Sequence, residues 1–283
     1  MHVQIILVPY DTARRGWRSG AGPEHLLHAG LVGHLRAKGH SVAEPELIEA
    51  DATQPPAEIA TGFELMRKVA VAVRAAREAG RFPLVLSGNC NASVGALSGL
   101  TPSRRAIFWF DAHGDLNTPD TTTSGFLDGT GFATALGLCW RGLASGIPGF
   151  AAVDLESAFL LGARDLDPPE AALLEHGTIR AVSSARLSVE LPELLSQARL
   201  EGAVGHVHLD LDALDPARVG RANSLPVPDG LSIEQLTGAI AAIRAHVSLG
   251  AAALASYAPE FDAGGGVCRA AFAAVDALLA KSP

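Results

Sequence analysis

Short aliphatic and β-branched runs alternate along the chain with longer Ala- and Leu-rich stretches. The runs at 3–8, 83–86, 106–110, 158–162, 179–182, 205–210 and 251–256 are nearly continuous in apolar character. Runs of that length and uniformity predict strands buried on both faces, since a half-exposed strand would alternate. Between them the stretches 23–38, 57–79, 192–200, 233–246 and 267–281 have helical length and apolar spacing. Ser232 precedes one of these, and Gln235 follows three residues later, the arrangement in which each side chain can satisfy the other's backbone N–H. Repeated strand–helix alternation requires right-handed crossovers and predicts a mainly parallel sheet covered on both faces, an α/β fold. No internal repeat or low-complexity tract interrupts it, so the expectation is one domain over residues 1–283.

One segment breaks the pattern. Residues 111–131 are rich in Thr, Ser, Asp and Gly, and a polar connection of that length inside a compact fold is usually functional. Ligands of open α/β sheets gather beyond the carboxyl ends of the strands, which is where this chain concentrates its acids. A formal net charge of −8 disfavours nucleic acid as a partner, because phosphate neutralisation needs a basic face, but not a small cationic substrate. Three cysteines, Cys90, Cys139 and Cys268, are too few and odd in number for a disulfide framework, which favours a reducing, cytoplasmic setting. The first apolar run is too short for a secretion signal, and none approaches the roughly 18 residues of a membrane span.

The run 106–110 leads directly into Asp111-Ala112-His113-Gly114-Asp115. Side chains of extended chain alternate, so Asp111, His113 and Asp115 leave the strand end on one side. The run 205–210 does the same with Asp210 and Asp212. Carboxylates this close would repel and raise one another's pKa, and a divalent cation resolves the conflict. The competing reading, solvated loop acids with a satisfied surface histidine, has to explain two such strand ends at once. His206 and His208 flank the second; packing in the core or behind the site accounts for them as readily as a direct role.

The segment from Asp111 to Gly125 closely resembles the signature of the ureohydrolase family (arginase, agmatinase and relatives), and His208-Leu209-Asp210-Leu211-Asp212-Ala213-Leu214-Asp215-Pro216 resembles the family's second metal motif. The similarity extends from Gly22-Pro23 to Glu260. It implies a three-layer α/β/α sandwich with a mainly parallel sheet of about eight strands. It also implies two Mn²⁺ ions per chain, with Asp111 and Asp210 bridging them, Asp115 completing one shell, and His113 and Asp212 the other. A bridging water would attack a guanidinium carbon, with Asp115 accepting its proton. Glu260, in Ala258-Pro259-Glu260-Phe261, stands where the resemblance implies a carboxylate that holds the guanidinium group; the alternative is a surface acid at a helix start. A small guanidino compound is the implied partner, and the family habit is a trimer or hexamer, with a monomer left open.

Asn117 and Ser124 occupy the positions that would meet a substrate α-carboxylate. Asp167, in Arg164-Asp165-Leu166-Asp167-Pro168, would meet its α-amino group, and Glu170 follows at the matching offset. Asp167 also reads as a helix N-cap ahead of Pro168. The balance favours an α-amino acid over a decarboxylated substrate. Three positions depart from the family. Cys90, in Ser87-Gly88-Asn89-Cys90-Asn91, replaces a histidine ligand; a thiolate could ligate and favour Zn²⁺, Fe²⁺ or Co²⁺, or the side chain could be a small buried hydrophobe. Phe126 and Asp128 stand in place of Asn and of the proton-shuttling His, and an Asp can shuttle only if its environment lifts its pKa. Together these changes resemble the branch that hydrolyses Nω-hydroxy-L-arginine to L-ornithine and hydroxyurea in D-cycloserine biosynthesis. Arginase, another ureohydrolase (agmatinase, guanidinobutyrase) and a catalytically degenerate regulatory or structural member are the alternatives.

Overall fold

The computed structural model describes residues 1–100 and 103–280. In chain order the strands and helices are β1 (His2–Val8), β2 (Tyr10–Asp11), β3 (Arg14–Arg15), α1 (Gly22–His28), α2 (Leu31–Ala37), β4 (Ser41–Val42), β5 (Glu46–Leu47), α3 (Glu58–Glu78), β6 (Phe82–Ser87), α4 (Ala92–Gly99) and β7 (Arg105–Phe110). They continue with α5 (Gly131–Ala135), α6 (Arg141–Ala144), β8 (Ala158–Gly162), α7 (Pro168–Glu175), β9 (Arg180–Ser183), α8 (Leu187–Gln197), β10 (Val204–Asp210), α9 (Ile233–His246), β11 (Ser248–Ala255) and α10 (Gly266–Leu279). Among the described residues, nine strands form one sheet in the order β4-β1-β6-β11-β10-β7-β8-β9, with β5 also pairing β1. Every pairing in it is parallel. β2 and β3 form a small antiparallel ribbon beside it.

The pleat decides the layers. On β1, Val3, Ile5 and Leu7 point to a core shared with α1, α2, α8, α9 and α10, whereas Ile6 and Val8 pack on the other side with Leu65, Val69 and Val73 of α3. On β7, Phe108 and Phe110 join the first core and Ile107 and Trp109 join the second, with Phe63 of α3 and Phe132 of α5. The sandwich therefore has three layers, and all residues of β6, β7 and β8 are buried. Their sequences lack alternation because both faces are dry.

Several boundaries differ from expectation for local reasons. The stretch 23–38 divides into α1 and α2 at Gly30, whose φ of 97° ends one helix and starts the next. Of the anticipated helix 192–200, residues 192–197 prove to be the second half of α8, which begins at Leu187 and carries Pro192 inside its first turns, while 198–200 lie beyond its end. The anticipated helix 267–281 appears as α10; position 281 lies outside the described residues. Ser232 caps α9 as expected, its Oγ accepting the Gln235 N–H at 3.2 Å while Gln235 Oε1 accepts the Ser232 N–H at 2.9 Å. Helix α4 escaped notice because all its residues are buried, which erases any amphipathic signal. At Gly95 an added Cβ would lie 2.4 Å from the Met66 carbonyl oxygen, so α3 and α4 approach more closely than any larger residue allows. No helix among the described residues is long and apolar enough to cross a membrane.

Candidate metal centre

Four neighbouring strands at the centre of the sheet, β6, β11, β10 and β7, end on one cleft. The cleft has a volume of about 420 Å³ and is lined by Cys90 beyond β6, Ser256 beyond β11, Asp210 and Asp212 from β10, and His113 and Asp115 beyond β7. Asp111 lies directly behind them, 1% exposed. The two motifs, about a hundred residues apart in sequence, meet because β7 and β10 are paired in register, Leu209 opposite Phe110.

Each carboxylate is aimed by the chain around it. Asp111 Oδ1 accepts the His113 backbone N–H at 2.8 Å and Oδ2 accepts the Trp109 indole N–H at 3.1 Å. Asp210 Oδ1 accepts the Asp212 N–H at 2.8 Å, while Asp212 receives the Ala112 N–H at 3.3 Å and Asn223 Nδ2 at 3.0 Å. Asp115 holds a left-handed backbone, φ 50°, and its Oδ2 is buried without a hydrogen-bond partner. The loop that carries it is tied down at Leu127, whose N–H donates to Glu58 Oε1 at 2.9 Å.

Behind the centre, Arg164 fastens β8 to the loop after β10. Its Nε donates to the Pro228 carbonyl at 2.8 Å, Nη2 to Val227 at 2.8 Å and Asp212 at 3.0 Å, and Nη1 to Gly162 at 3.1 Å.

Without a cation the cluster is electrostatically frustrated. Burial, then the neighbouring carboxylates, holds Asp115 and Asp210 well above the ordinary carboxylate range. Asp212 is raised too, by burial and by Asp111. His113 responds in the opposite sense: burial opposes its charge, but its bond to Asp111 and the charges of Asp212, Asp111 and Asp210 prevail and lift it to about 10. Its Nδ1 stands 3.2 Å from Asp111 Oδ1 and 3.5 Å from Asp212 Oδ2, so a proton supplies the positive charge that a metal would supply. Donor atoms of Asp111, His113 and Asp212 lie within 4.8 Å of one another, as they do for Cys90, Asp111 and His208. The mixed oxygen, nitrogen and sulfur donors, the orphaned Asp115 oxygen and the mutual repulsion all fit divalent metal. Cys90 is part of this array: its Sγ donates to Asp210 Oδ2 at 2.9 Å and lies 3.2 Å from Ser256 Oγ. Burial and then Asp210 push its thiol up, and a bound cation would reverse that.

Elsewhere on the cleft, Asn117 Nδ2 donates to Asp167 Oδ2 at 2.8 Å. Both line the cleft together with Ser124, Phe126, Asp128 and Glu170. Asp167 is also the N-cap of α7, and Glu170, from the first turn of that helix, accepts the Asp167 N–H and the Leu116 N–H, each at 2.9 Å. Glu170 therefore locks the start of α7 to the loop that follows Asp115. Asp128 accepts the Asn91 N–H at 2.9 Å and Asn89 Nδ2 at 2.8 Å, and burial lifts it to about 7 against those donors.

Glu260 requires a correction. It lies exposed on a short turn, Pro259–Phe261, and is not among the cleft residues. The end of β11 presents Ser256 instead, in a left-handed conformation with φ 61°, and from there the chain leaves the cleft. Sequence reasoning also passed over Asp165, Asn223, Asp11 and Arg18, all on the cleft. Arg18 pairs with Asp11 at 3.2 Å, and its guanidinium stands 5.4 Å from the Phe126 ring centre. Asp165 was legible in Arg164-Asp165-Leu166-Asp167 as the alternate partner of Asp167; the other three carry no pattern.

A model of the arginase family matches residues 1–280. Among curated proteins, the arginase of Bacillus caldovelox is 28% identical over 249 residues, covering 82% of this chain and 83% of its own. The arginase of Bacillus subtilis is 30% identical over 251 residues, 82% of each chain. The crystal structure of native arginase from Bacillus caldovelox superposes with a TM-score of 0.87 at 26% identity, covering 99% of this chain and 98% of that one.

Proposed function

We propose that this chain, which belongs to the arginase family, is a binuclear-metal amidinohydrolase whose substrate is Nω-hydroxy-L-arginine. On this reading it acts in the cytoplasm and yields L-ornithine and hydroxyurea, as in the D-cycloserine branch that its sequence resembles. The coarser statement, a family hydrolase that cleaves C–N bonds of linear amidines, stands apart from the choice of substrate.

The observation that carries the finer reading is the contrast between the two ends of the cleft. The end that would hold an α-amino acid keeps Asn117 bonded to Asp167, with Ser124 beside them. The end that would hold the guanidino group places Cys90, Asp128 and Ser256 around the carboxylates, and Glu260 does not reach it. A fully charged guanidinium is best held by a buried carboxylate of its own. An N-hydroxyguanidine is less basic, so Ser256 can face it with a hydroxyl, which both donates and accepts.

Two divalent cations held by Cys90, Asp111, His113, Asp115, Asp210 and Asp212 would supply Lewis acidity and a nucleophilic water. The chain's own work is positioning and proton transfer. Asp167 and Asn117 would fix the amino-acid end, and Asp115, with an uncommitted oxygen, would accept a proton from water. Water adds to the guanidino carbon, the bond from that carbon to the ornithine side-chain nitrogen breaks, and the departing nitrogen takes a proton. Asp128, which burial leaves poised near neutrality, can deliver it.

Arginase activity itself is the second reading, favoured by the relatives' shared name. Product analysis with Mn²⁺ supplied decides between them. The proposal expects ornithine and hydroxyurea from the hydroxylated substrate at a kcat/KM well above that for arginine, and a higher kcat/KM for arginine defeats it.

A further inference from the structure

Histidine 208 lies outside every role assigned so far, yet its imidazole is placed where the centre lacks one. It is on β10 two residues before Asp210, so the pleat sends both side chains to the same face of the sheet. It is completely buried, and its Nε2 has no hydrogen-bond partner. Its other nitrogen, Nδ1, is 2.8 Å from Ser93 Oγ. A donor atom of His208 lies within 4.8 Å of donors from Cys90 and Asp111. Donors that share one ion at ~2.0–2.3 Å lie within about 4.6 Å of one another, so a small adjustment of side chains already within 4.8 Å is enough to bring these three onto a common ion.

We propose that His208 is a ligand of the metal position at Cys90, providing from β10 the imidazole that a histidine would otherwise provide at position 90. The inference rests on the binuclear-centre reading above. Three features set His208 apart from a histidine merely packed in the core. The Ser93 hydroxyl is the partner of Nδ1, and with Nδ1–H donating to it the lone pair on Nε2 is free for a metal; metal-bound histidines are oriented by such a partner on the second nitrogen. The Trp109 ring, 3.7 Å from the imidazole centre to centre, limits the ring's rotation, and the same indole donates to Asp111. His206, on the same face of β10 but further from the strand end, also lacks partners but belongs to no cluster of donors among the described residues. A site of Cys90 sulfur, His208 nitrogen and carboxylate oxygen is softer than one of histidine and carboxylate alone. It should favour Zn²⁺, Fe²⁺ or Co²⁺ over Mn²⁺ at that position.

The test uses full-length protein with isotopically labelled histidine, stripped of metal and titrated with Zn²⁺, and read by long-range proton–nitrogen correlation NMR. The His113→Asn and His208→Asn variants assign the two rings. Two equivalents of Zn²⁺ should move the Nδ1 resonance of His113, the nitrogen that faces Asp111 and Asp212, and the Nε2 resonance of His208 into the metal-bound range. Calorimetry on His208→Asn should show one of the two binding events weakened on the order of 10–100-fold, with the other kept. Because His208 is in the core, circular dichroism checks that the variant folds; if it does not, the wild-type spectra alone decide. Two bound ions with an unmoved His208 ring overturn the inference and leave the metal-centre reading intact. No bound zinc at all overturns both.

Discussion

Arg164 gives the sharpest test of how the centre is held, because it bonds only to backbone carbonyls and to no carboxylate of the cluster. Replacing it with methionine keeps much of the aliphatic stem and removes the guanidinium. Six donor bonds of 2.8 to 3.5 Å vanish, to the carbonyls of Pro228, Val227, Asp212, Gly162, Ala213 and Leu214, the last two being the longest. A hydrogen bond from a charged group contributes ~1.5–3 kcal/mol, and part of that is recovered where water reaches a freed carbonyl. Arg164 is only half-buried, and burial already lowers its pKa, so some of its worth goes to its own desolvation. The net loss should be about 3–5 kcal/mol, a large share of the ~5–15 kcal/mol that holds a typical fold together. Urea unfolding of the metal-free protein, followed by tryptophan fluorescence, measures it. Because the Asp212 and Ala213 carbonyls lose their anchor, metal affinity should fall as well. A loss below ~1 kcal/mol with unchanged metal binding would refute the view that Arg164 fixes the loop after β10.

Two further outcomes follow from the charges. Asp128 is lifted from 3.8 to about 7 by burial; the folded protein therefore binds more protons than the unfolded chain between those values, and stability falls as pH rises through that window. The cost is absent below about pH 4 and full above about pH 7, up to ~4 kcal/mol with solvent in the cleft screening part of it. Metal-free Asp128→Asn should accordingly show a smaller drop in urea midpoint between pH 5 and pH 8 than wild type, and an equal drop sinks the assignment. Asp167→Ala removes a carboxylate from the substrate end; one charged contact of ~1.5–3 kcal/mol predicts a KM for amino-acid substrates raised roughly 10–100-fold. The decarboxylated analogue, agmatine, should change less than threefold, and equal effects on both would remove the α-amino role.

The acids of the centre were legible because their chemistry is concentrated: two strand ends with alternate carboxylates have few structural explanations. The strands themselves were legible because burial on both faces leaves them mostly apolar, with no polar alternation. What failed was anything set by a turn. Glu260 looked right in a linear reading of Ala258-Pro259-Glu260-Phe261, but the left-handed residue at Ser256 spends the cleft position four residues earlier. Asp11 and Arg18 reach the cleft only through the β2–β3 ribbon, whose two-residue strands give no periodic signal. The splitting of 23–38 at Gly30 depended on a single positive φ. Helix α4, which carries Ser93 to His208, was hidden by complete burial.

The strand order has a kinetic meaning as well. β10 and β11, the latest in sequence of the described strands, are inserted between β6 and β7, which precede them in the chain by about a hundred residues or more. Until they enter, two halves of a sheet stand with bare inner edges, and the donors at 90–115 have no partners from 210–212. Such sequence-distant pairings are closed late and slowly. On the metal-centre reading, metal uptake would therefore report finished folding: ions could be held only by a chain whose β10 and β11 have locked the halves together, and would then act as the bolt on a keystone set last.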